Sequence, residues 1–402
     1  RFRIPSIAAF LVAGVLVGPE GIGQVTDPDN IDTIAQLGFI FLLFLIGLEI
    51  DFKKIFGSGK AVTVSGFLQY PLTIALGFIM VKLMVLIGLG GELLSGSVYA
   101  PLYLGVVIAG SSTLLVVKLF QEHFELDTEP GRLALGMLIF QDIWVIGVIL
   151  IQPNIESPEL MPIMMSFAGI ILLGLFSIML AQMVFEVCFE WIAKTPELTL
   201  TAALAWCFTV VFFGQVIDPI FMLTAGFNPH MNVGSGMAAL IAGACIANLP
   251  SSTEVITKVS VVKDFFITLF FVALGISIPA PDGWNVIILA VTLAVLAILA
   301  RLFIFFPLFY FTGVDQRNAM VSSIRLAQIS EFGLVIAFLG VQFGHISPEL
   351  SSAIIFAFVI TALATPPMYS KAYEIHRWMQ PALQKLGFKA PPALSSDQDK
   401  GY

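Results

Sequence analysis

Long apolar blocks run through almost the whole chain, and they restrict what it can fold into more than any other feature. Residues 284–300, WNVIILAVTLAVLAILA, contain no charged side chain, and similar blocks recur with short polar breaks between them. Of the 402 residues, 58% are hydrophobic and 11% are charged, whereas a soluble domain contains about 25% charged residues. Apolar blocks of about 18 residues or more are typical of transmembrane helices. The sequence therefore predicts an all-α polytopic membrane protein.

The pattern predicts about twelve membrane spans. Their approximate bounds are 5–19, 34–50, 61–89, 98–119, 132–151, 161–190, 197–217, 232–249, 261–279, 284–311, 318–343 and 350–372. Lysine and arginine fall into every second break between these spans, and the other breaks hold only acidic charges. Because loops rich in lysine and arginine stay in the cytoplasm, both visible termini are predicted to lie inside.

Two pairs of segments suggest an internal repeat. They are AFLVAGVLVGP (9–19) with ALIAGACIAN (239–248), and LLFLIGLEI (42–50) with FFVALGISI (270–278). Gly14 aligns with Gly243 and Gly47 with Gly275, so the two offsets are 229 and 228 residues. The copies lie seven spans apart, an odd number, which predicts the inverted topology of secondary transporters. The alternative is a chance likeness between helices rich in alanine, glycine and leucine.

The repeat leads to a prediction of domain boundaries. We expect one transmembrane exchange domain, followed by a cytoplasmic tail. The predicted parts are repeats at about 1–151 and 197–372, a linker helix at 161–190, and the tail at 373–402.

The fourth and eleventh spans, which the repeat pairs, each carry polar residues in the middle of the membrane. These residues are Ser111, Ser112 and Thr113 in the fourth span, and Gln328, Ser330 and Glu331 in the eleventh. Hydroxyl and amide groups can satisfy the backbone of a helix that unwinds within a bilayer. We therefore expect two discontinuous helices that cross at the midplane and direct their dipole ends at a central cavity. The alternative for the serines and threonine is hydrogen bonding between intact helices.

The fifth span, in the stretch GMLIFQDIWVIGVIL, carries Asp142 in an otherwise uncharged segment. An ionised aspartate in hydrocarbon is unfavourable by about 3 kcal/mol or more, so it usually has a functional role or a partner. Burial favours its protonated form, and a nearby cation favours its ionised form. One carboxylate can therefore hold a proton or a metal cation in turn, which predicts exchange by competition. The structural alternative is a neutral aspartic acid that hydrogen-bonds helix carbonyls.

Four motifs together resemble the monovalent cation:proton antiporters, and in particular the Kef-type and KEA-type potassium:proton branch. They are SST…QE followed by GR…FQDI, then KDFFITLFFVALGISI, then RLAQISEFGLV, with the opening IPSIAAFLVAGVLVGPEGI and GLEID in agreement. The resemblance implies about thirteen helices, the first of them before Arg1, and a homodimer with a mobile core bundle. It also implies two crossed helices at the residues around Ser111 and Gln328.

The resemblance assigns roles by position. Asp142 is implied to bind the transported monovalent cation and the proton, and Gln141 stands where sodium-type relatives carry Asp or Asn. Ser111, Ser112 and Thr113 are implied to join the ion and proton site. The residues implied to support the crossed helices are Gln328, Ser330, Glu331, Arg325 and Lys263.

Simpler structural roles stay open for several of these residues. Gln141 can bond neighbouring helices, and Glu331 and Arg325 can neutralise each other or the helix ends. Lys263 can anchor a helix at the interface. Arg301, which we place near the end of a span, is expected to extend toward water.

The chain departs from the Kef pattern in two places. The loop PSSTEVITKVSVVKD at 250–264 is not especially acidic, and no GxGxxG follows a strand, so nucleotide or glutathione control is not predicted. A cytoplasmic regulatory domain or subunit outside this chain is a further partner that the resemblance leaves open.

The predicted function is a secondary active antiporter that exchanges potassium for protons, one for one, at Asp142. The alternatives are a sodium/proton antiporter, a sodium-coupled organic anion symporter, a cation channel, and a sensor built on an inactive transporter. No nucleophile–base pair or metal cluster suggests an enzyme, and no cofactor or nucleic acid is expected. The expected partners are a second copy of the chain, cations, protons and membrane lipids. The expected location is the bacterial inner membrane or an organelle membrane.

Overall fold

The computed structural model describes residues 6–19, 21–25, 27–49, 59–88, 91–155, 160–192, 196–225, 233–247, 252–279 and 284–389. All regular secondary structure in these ranges is helical. The α-helices are α1 (Ser6–Val17), α2 (Pro28–Glu49), α3 (Lys60–Leu86), α4 (Gly91–Ser95), α5 (Ala100–Ala109), α6 (Thr113–Glu122), α7 (Glu129–Ile151), α8 (Leu160–Ile192), α9 (Pro196–Ala225), α10 (Ser235–Ala247), α11 (Ser252–Ile276), α12 (Trp284–Ala300), α13 (Phe306–Phe311), α14 (Gln316–Arg325), α15 (Glu331–Gln342), α16 (Pro348–Ser370) and α17 (Ala372–Lys385). A short 3₁₀-helix (Gln152–Asn154) follows α7, and a π-helical turn (Arg301–Phe305) joins α12 to α13.

Several of these helices have the length and composition of membrane spans. Within the described ranges, six helical stretches are long and apolar enough to cross a membrane, one of which contains both α5 and α6, and six further apolar helical stretches have 10–17 residues. An apolar helix of about 20 residues is needed to cross the hydrocarbon core. These helices agree with the predicted multi-pass α-helical membrane protein, while the number of twelve spans stays a prediction.

The chain forms two compact units. The first unit contains α3 to α6, most of α7, and α12 to α17; its bounds are Arg1–Ala8, Lys54–Ile146 and Pro279–Tyr402. The second unit contains most of α1, with α2 and α8 to α11; its bounds are Ala9–Lys53 and Gly147–Ile278. Each unit takes helices from both predicted repeats. The repeat boundaries themselves stay a prediction.

In the second unit, glycines from the aligned motifs bring helices into backbone contact. A Cβ atom added to Gly14 of α1 would lie 2.9 Å from the Cα atom of Gly275 in α11. A Cβ atom added to Gly47 of α2 would lie 2.9 Å from the Cα atom of Gly243 in α10. The repeat aligns Gly14 with Gly243 and Gly275 with Gly47. When each glycine of the first contact is replaced by its aligned partner, the second contact results. This correspondence is what a pair of repeats related by a pseudo-two-fold axis would produce.

In the first unit, both predicted interruptions are present. Helix α5 ends at Ala109 and α6 begins at Thr113, while α14 ends at Arg325 and α15 begins at Glu331. A serine hydroxyl starts each second half, because Ser112 Oγ accepts the Leu115 N–H and Ser330 Oγ accepts the Phe332 N–H. These N-caps satisfy backbone donors that a helix start leaves without an intrahelical partner.

Candidate functional site

The two interruptions of the first unit lie against each other. We call residues 110–112 the first break and residues 326–330 the second break. The Ser111 hydroxyl donates a hydrogen bond of 2.8 Å to the Leu326 carbonyl. The Gln328 amide nitrogen is 3.5 Å from the Ser112 carbonyl oxygen, at the limit of a hydrogen bond. Two of the predicted polar residues thus join the breaks directly.

Arg301 is the charged residue that holds both breaks. Its guanidinium donates to the carbonyls of Ile108 and Gly110 (both 2.7 Å), of Leu326 (2.8 Å) and of Gln328 (3.2 Å). The side chain is fully buried. These carbonyls lie at the C-terminal ends of α5 and α14, where helix dipoles concentrate negative partial charge. One positive charge therefore compensates both helix ends.

The expectation that Arg301 extends toward water is wrong. The residue lies ten positions before the predicted end of its span at 311, which is about 15 Å along a helix. That depth was a signal in the sequence, since a side chain so far from the interface needs partners inside the protein. A π-helical turn begins at Arg301. Such turns are frequent at functional sites.

Glu331 lies at the opposite, N-terminal ends of the half-helices. It is the first residue of α15, and its Oε1 atom accepts the Leu114 N–H of α6 at 3.3 Å. The side chain is 3% exposed. A carboxylate is favourable beside helix N-termini because their N–H groups carry positive partial charge. Glu331 therefore neutralises helix ends, which is one of the two roles that we expected.

For the other expected role, a Glu331–Arg325 pair, the structure gives Arg325 a different acidic partner. Arg325 Nη2 lies 2.7 Å from Glu125 Oε2, in the loop between α6 and α7. Its guanidinium also lies 4.1 Å from the ring centre of Tyr369, and the Tyr369 hydroxyl donates to the same Glu125 oxygen at 2.7 Å. The side chain of Arg325 thus contacts Glu125 and Tyr369, near the end of α16, and not the second break.

Gln141 supports the first break from α7. Its Oε1 atom accepts the Ser111 N–H at 2.8 Å, and its Nε2 atom donates to Gln69 Oε1 at 3.1 Å. Gln69 in turn donates to the Ala109 carbonyl at 2.7 Å. Both ends of the Gln141 amide are therefore engaged in holding the unwound backbone. The second break has an equivalent support, because Thr361 Oγ1 of α16 accepts the Ile329 N–H at 3.2 Å.

Gln69 was missed by sequence reasoning. It is fully buried on α3, in the stretch SGFLQYPLTIAL, where a lone glutamine among apolar residues was the available signal. A polar side chain in such a position must hydrogen-bond within the protein.

Asp142 follows Gln141 on α7 and so lies beside the first break. It is partly exposed, whereas Gln141 is buried. The buried phenol of Tyr70 is close enough to interact electrostatically with both Asp142 and Arg301. The Tyr70 ring stacks on Trp144, which is two residues after Asp142 on α7, with ring centres 5.9 Å apart and planes 3° apart. Asp142 is thus partly accessible and lies within electrostatic reach of the buried Tyr70 phenol on α3.

The remaining predicted residues fall into three groups. Ser112 and Ser330 serve as N-caps. Thr113 Oγ1 and Gln328 Oε1 are buried oxygens that make no hydrogen bond within the described part of the chain. Lys263 is on α11 in the second unit, and the surroundings of its side chain lie outside the described residues. Among the residues that the structure describes, no three His, Cys, Asp or Glu side chains form a metal cluster.

Comparisons with known proteins identify relatives that transport ions. The chain is 25% identical over 390 residues to the iron transporter MagA of Paramagnetospirillum magneticum, covering 94% of this chain and 82% of the relative. It is 23% identical over 392 residues to K(+) efflux antiporter 6 of Arabidopsis thaliana, covering 95% of this chain but only 60% of the relative. The names of these relatives are those of transporters and not of enzymes.

A solved structure has the same fold. The sodium proton antiporter MjNhaP1 of Methanocaldococcus jannaschii aligns with a TM-score of 0.65 at 17% identity, covering 93% of this chain and 92% of that one. This likeness confirms the predicted antiporter-like fold. The family model for the sodium/hydrogen exchanger, transmembrane, matches residues 1–371. The resemblance read from the motifs is thereby confirmed, and the chain is an integral, multi-pass membrane protein that belongs to the transmembrane sodium/hydrogen exchanger family.

Proposed function

We propose that this protein exchanges potassium ions for protons, one for one, by competition at Asp142. The observation that carries the proposal is the charge arrangement around the breaks. Arg301 binds the carbonyl ends of α5 and α14, and Glu331 binds at the N-terminal ends of α6 and α15. The partial charges of the helix ends at the crossing are therefore compensated by Arg301 and Glu331.

Asp142 is then the acidic group whose charge can vary during transport. It is the only ionisable side chain between Arg132 and Ile151. Its neighbour Gln141 is neutral at any pH and is engaged with Ser111 and Gln69. One carboxylate accepts one proton or one monovalent cation. Each loaded form is neutral, whereas the empty ionised form is unfavourable in the membrane by about 3 kcal/mol, which limits leak.

Oxygen ligands for a large monovalent cation are available in the second break and at the start of α6. Thr113 Oγ1 and Gln328 Oε1 are buried without hydrogen bonds in the described structure, and buried polar atoms of this kind are few in folded proteins. Potassium channels show that oxygen atoms can replace the hydration shell of potassium. The name of K(+) efflux antiporter 6 and the glutamine at position 141 both favour potassium over sodium.

Exchange is tested with purified protein in liposomes that carry a proton gradient, followed by a pH-sensitive dye. Potassium, sodium, lithium, rubidium and ferrous iron are added in turn; iron is included because of the name of MagA. We expect potassium and rubidium to dissipate the gradient, and Asp142→Asn to abolish this response. Asp127→Asn is the matched control, because Asp127 is an exposed aspartate in the loop before α7.

Three results would contradict the proposal. Activity retained by Asp142→Asn would remove the carboxylate from the mechanism. A response to sodium alone would assign the sodium/proton alternative. An exchange rate that changed strongly with an imposed membrane voltage would refute one-for-one exchange, since that exchange moves no net charge.

A further inference from the structure

The C-terminal helix α17 is attached to the first unit by one face. The buried residues of this face are Ala372, His376 and Leu383. His376 Nε2 lies 3.4 Å from the side-chain oxygen of Gln316, the first residue of α14. The nitrogen of the same Gln316 amide donates to the Phe388 carbonyl at 3.1 Å. Helix α17 is therefore held against the start of α14.

The residues that follow α17 are attached to the same surface. The Lys389 N–H donates to the Tyr310 hydroxyl at 2.8 Å. The Phe388 ring packs on Phe306 and Tyr310, with ring centres 4.9 and 5.0 Å away. Contacts at both ends fix the helix in one orientation on the unit, so its outer face points in a defined direction.

The outer face of α17 combines one large aromatic ring with positive charges. Trp378 is 82% exposed, and Leu386, just beyond the helix end, is 75% exposed. Arg377, directly before Trp378, and Lys385, two turns after Trp378 on the same helix face, are both exposed. Lys371 and Lys389, on either side of the helix, are exposed as well. Glu374 is the single acidic residue of the helix.

The position of α17 in the chain places the helix next to the predicted cytoplasmic end of a membrane span. One residue, Lys371, separates the helix from α16, and α16 is long and apolar enough to span the membrane. The lysine and arginine bias assigns this end of α16 to the cytoplasm. Tryptophan is enriched at membrane interfaces, and basic amphipathic helices bind to the negatively charged cytoplasmic leaflet.

We propose that the outer face of α17 is a binding site for anionic phospholipid headgroups of the cytoplasmic leaflet. Arg377 and Lys385 bind the lipid phosphates, and Trp378 inserts between the headgroups. The excess of basic over acidic side chains fits an anionic surface. A lone exposed tryptophan between two cations also suits the boundary between water and lipid. The site is separate from Asp142, and its test uses no transport measurement.

The test compares nanodiscs of phosphatidylcholine with nanodiscs in which part of this lipid is replaced by phosphatidylglycerol. We expect phosphatidylglycerol to raise the melting temperature of the unaltered protein but not of the double variant Arg377→Gln/Lys385→Gln. The control is the double variant Lys118→Gln/Arg132→Gln, which removes two exposed cations of the same unit outside α17. This control should keep the stabilisation by phosphatidylglycerol.

A second measurement keeps the proposal testable if the double variant folds poorly. The fluorescence of Trp378 is obtained by subtracting the signal of Trp378→Phe. Brominated phosphatidylglycerol should quench it, and water-soluble acrylamide should quench it weakly. Strong acrylamide quenching without quenching by brominated lipid would overturn the proposal, as would equal stabilisation of both double variants. If the protection of Trp378 from acrylamide increased with protein concentration, the face would bind a second copy of the chain, and the lipid proposal would be wrong.

Discussion

Replacement of Arg301 tests whether one guanidinium stabilises the crossing of the two broken helices. Arg301→Met removes the charge and all donors while keeping a long side chain. It leaves the carbonyls of Ile108, Gly110, Leu326 and Gln328 in a buried site without their donor. Arg301→Lys keeps the charge but cannot reproduce the planar fork that reaches both helix ends.

The expected size of the effect follows from these contacts. A hydrogen bond from a charged donor contributes about 1.5–3 kcal/mol, but such contributions do not add fully within one network. Removing one member of a buried charged arrangement typically costs about 3–5 kcal/mol. We therefore expect Arg301→Met to lose ~3–5 kcal/mol of folding free energy, and Arg301→Lys to lose less than Arg301→Met.

The assay is thermal unfolding of the purified protein in detergent, followed by size-exclusion chromatography of the soluble fraction. Lys82→Met is the matched control, since Lys82 is an exposed cation on α3 whose ammonium lies 5.7 Å from the Phe78 ring centre. The Arg301 variants should melt well below this control. If Arg301→Met and Lys82→Met melted together, the carbonyls would have another source of stabilisation, and the reasoning would be refuted.

Three further predictions concern other parts of the fold. Phe124 has a φ of 55° and is 95% exposed. Phe124→Gly should therefore relieve left-handed strain and raise the free energy of unfolding by ~0.5–1 kcal/mol, after the entropy of glycine is deducted. A lower melting temperature of the variant would argue against strain. Gly47→Leu should abolish folded protein because its side chain would overlap the Leu240 carbonyl. Gly174→Leu is the control, since a side chain at Gly174 meets open space. Similar size-exclusion profiles of the two variants would contradict the glycine contact. Burial lowers the pKa of His376 below the ordinary 6.5. The docked α17 should therefore lose stability while the pH falls from 6.5 to this lowered pKa, because only the unfolded imidazole binds a proton in that range. Hydrogen exchange of α17 should show this loss, and His376→Gln should remove it; an unchanged pH dependence in the variant would exclude His376 as its source.

The sequence was sufficient to predict the broken helices and their polar residues. Ser111, Ser112 and Ser330 stand out because hydroxyl groups are conspicuous in apolar spans, and N-capping depends on the local sequence. The charge of Asp142 is conspicuous for the same reason. Such features depend on a residue and its immediate neighbours, so they are visible without knowledge of the fold.

The partners of buried charges could not be predicted in the same way. Arg301 binds backbone carbonyls, which every residue has and which therefore leave no mark in the sequence. Arg325 pairs with Glu125, 200 positions earlier in the chain, although Glu331 is the nearer acidic residue in sequence. The hydrogen bond between Gln141 and Gln69 likewise depends on the packing of α7 against α3. These choices are made by tertiary packing.

The attachment of both breaks to Arg301 has a mechanical consequence. A half-helix that tilts or rewinds by itself would pull its terminal carbonyl away from a guanidinium that also binds the other half. Local refolding of one interrupted helix is therefore an unfavourable way to open a path to Asp142. The crossing should behave as one stiff part, and hydrogen exchange should find its two breaks opening together, at one rate, and not in succession.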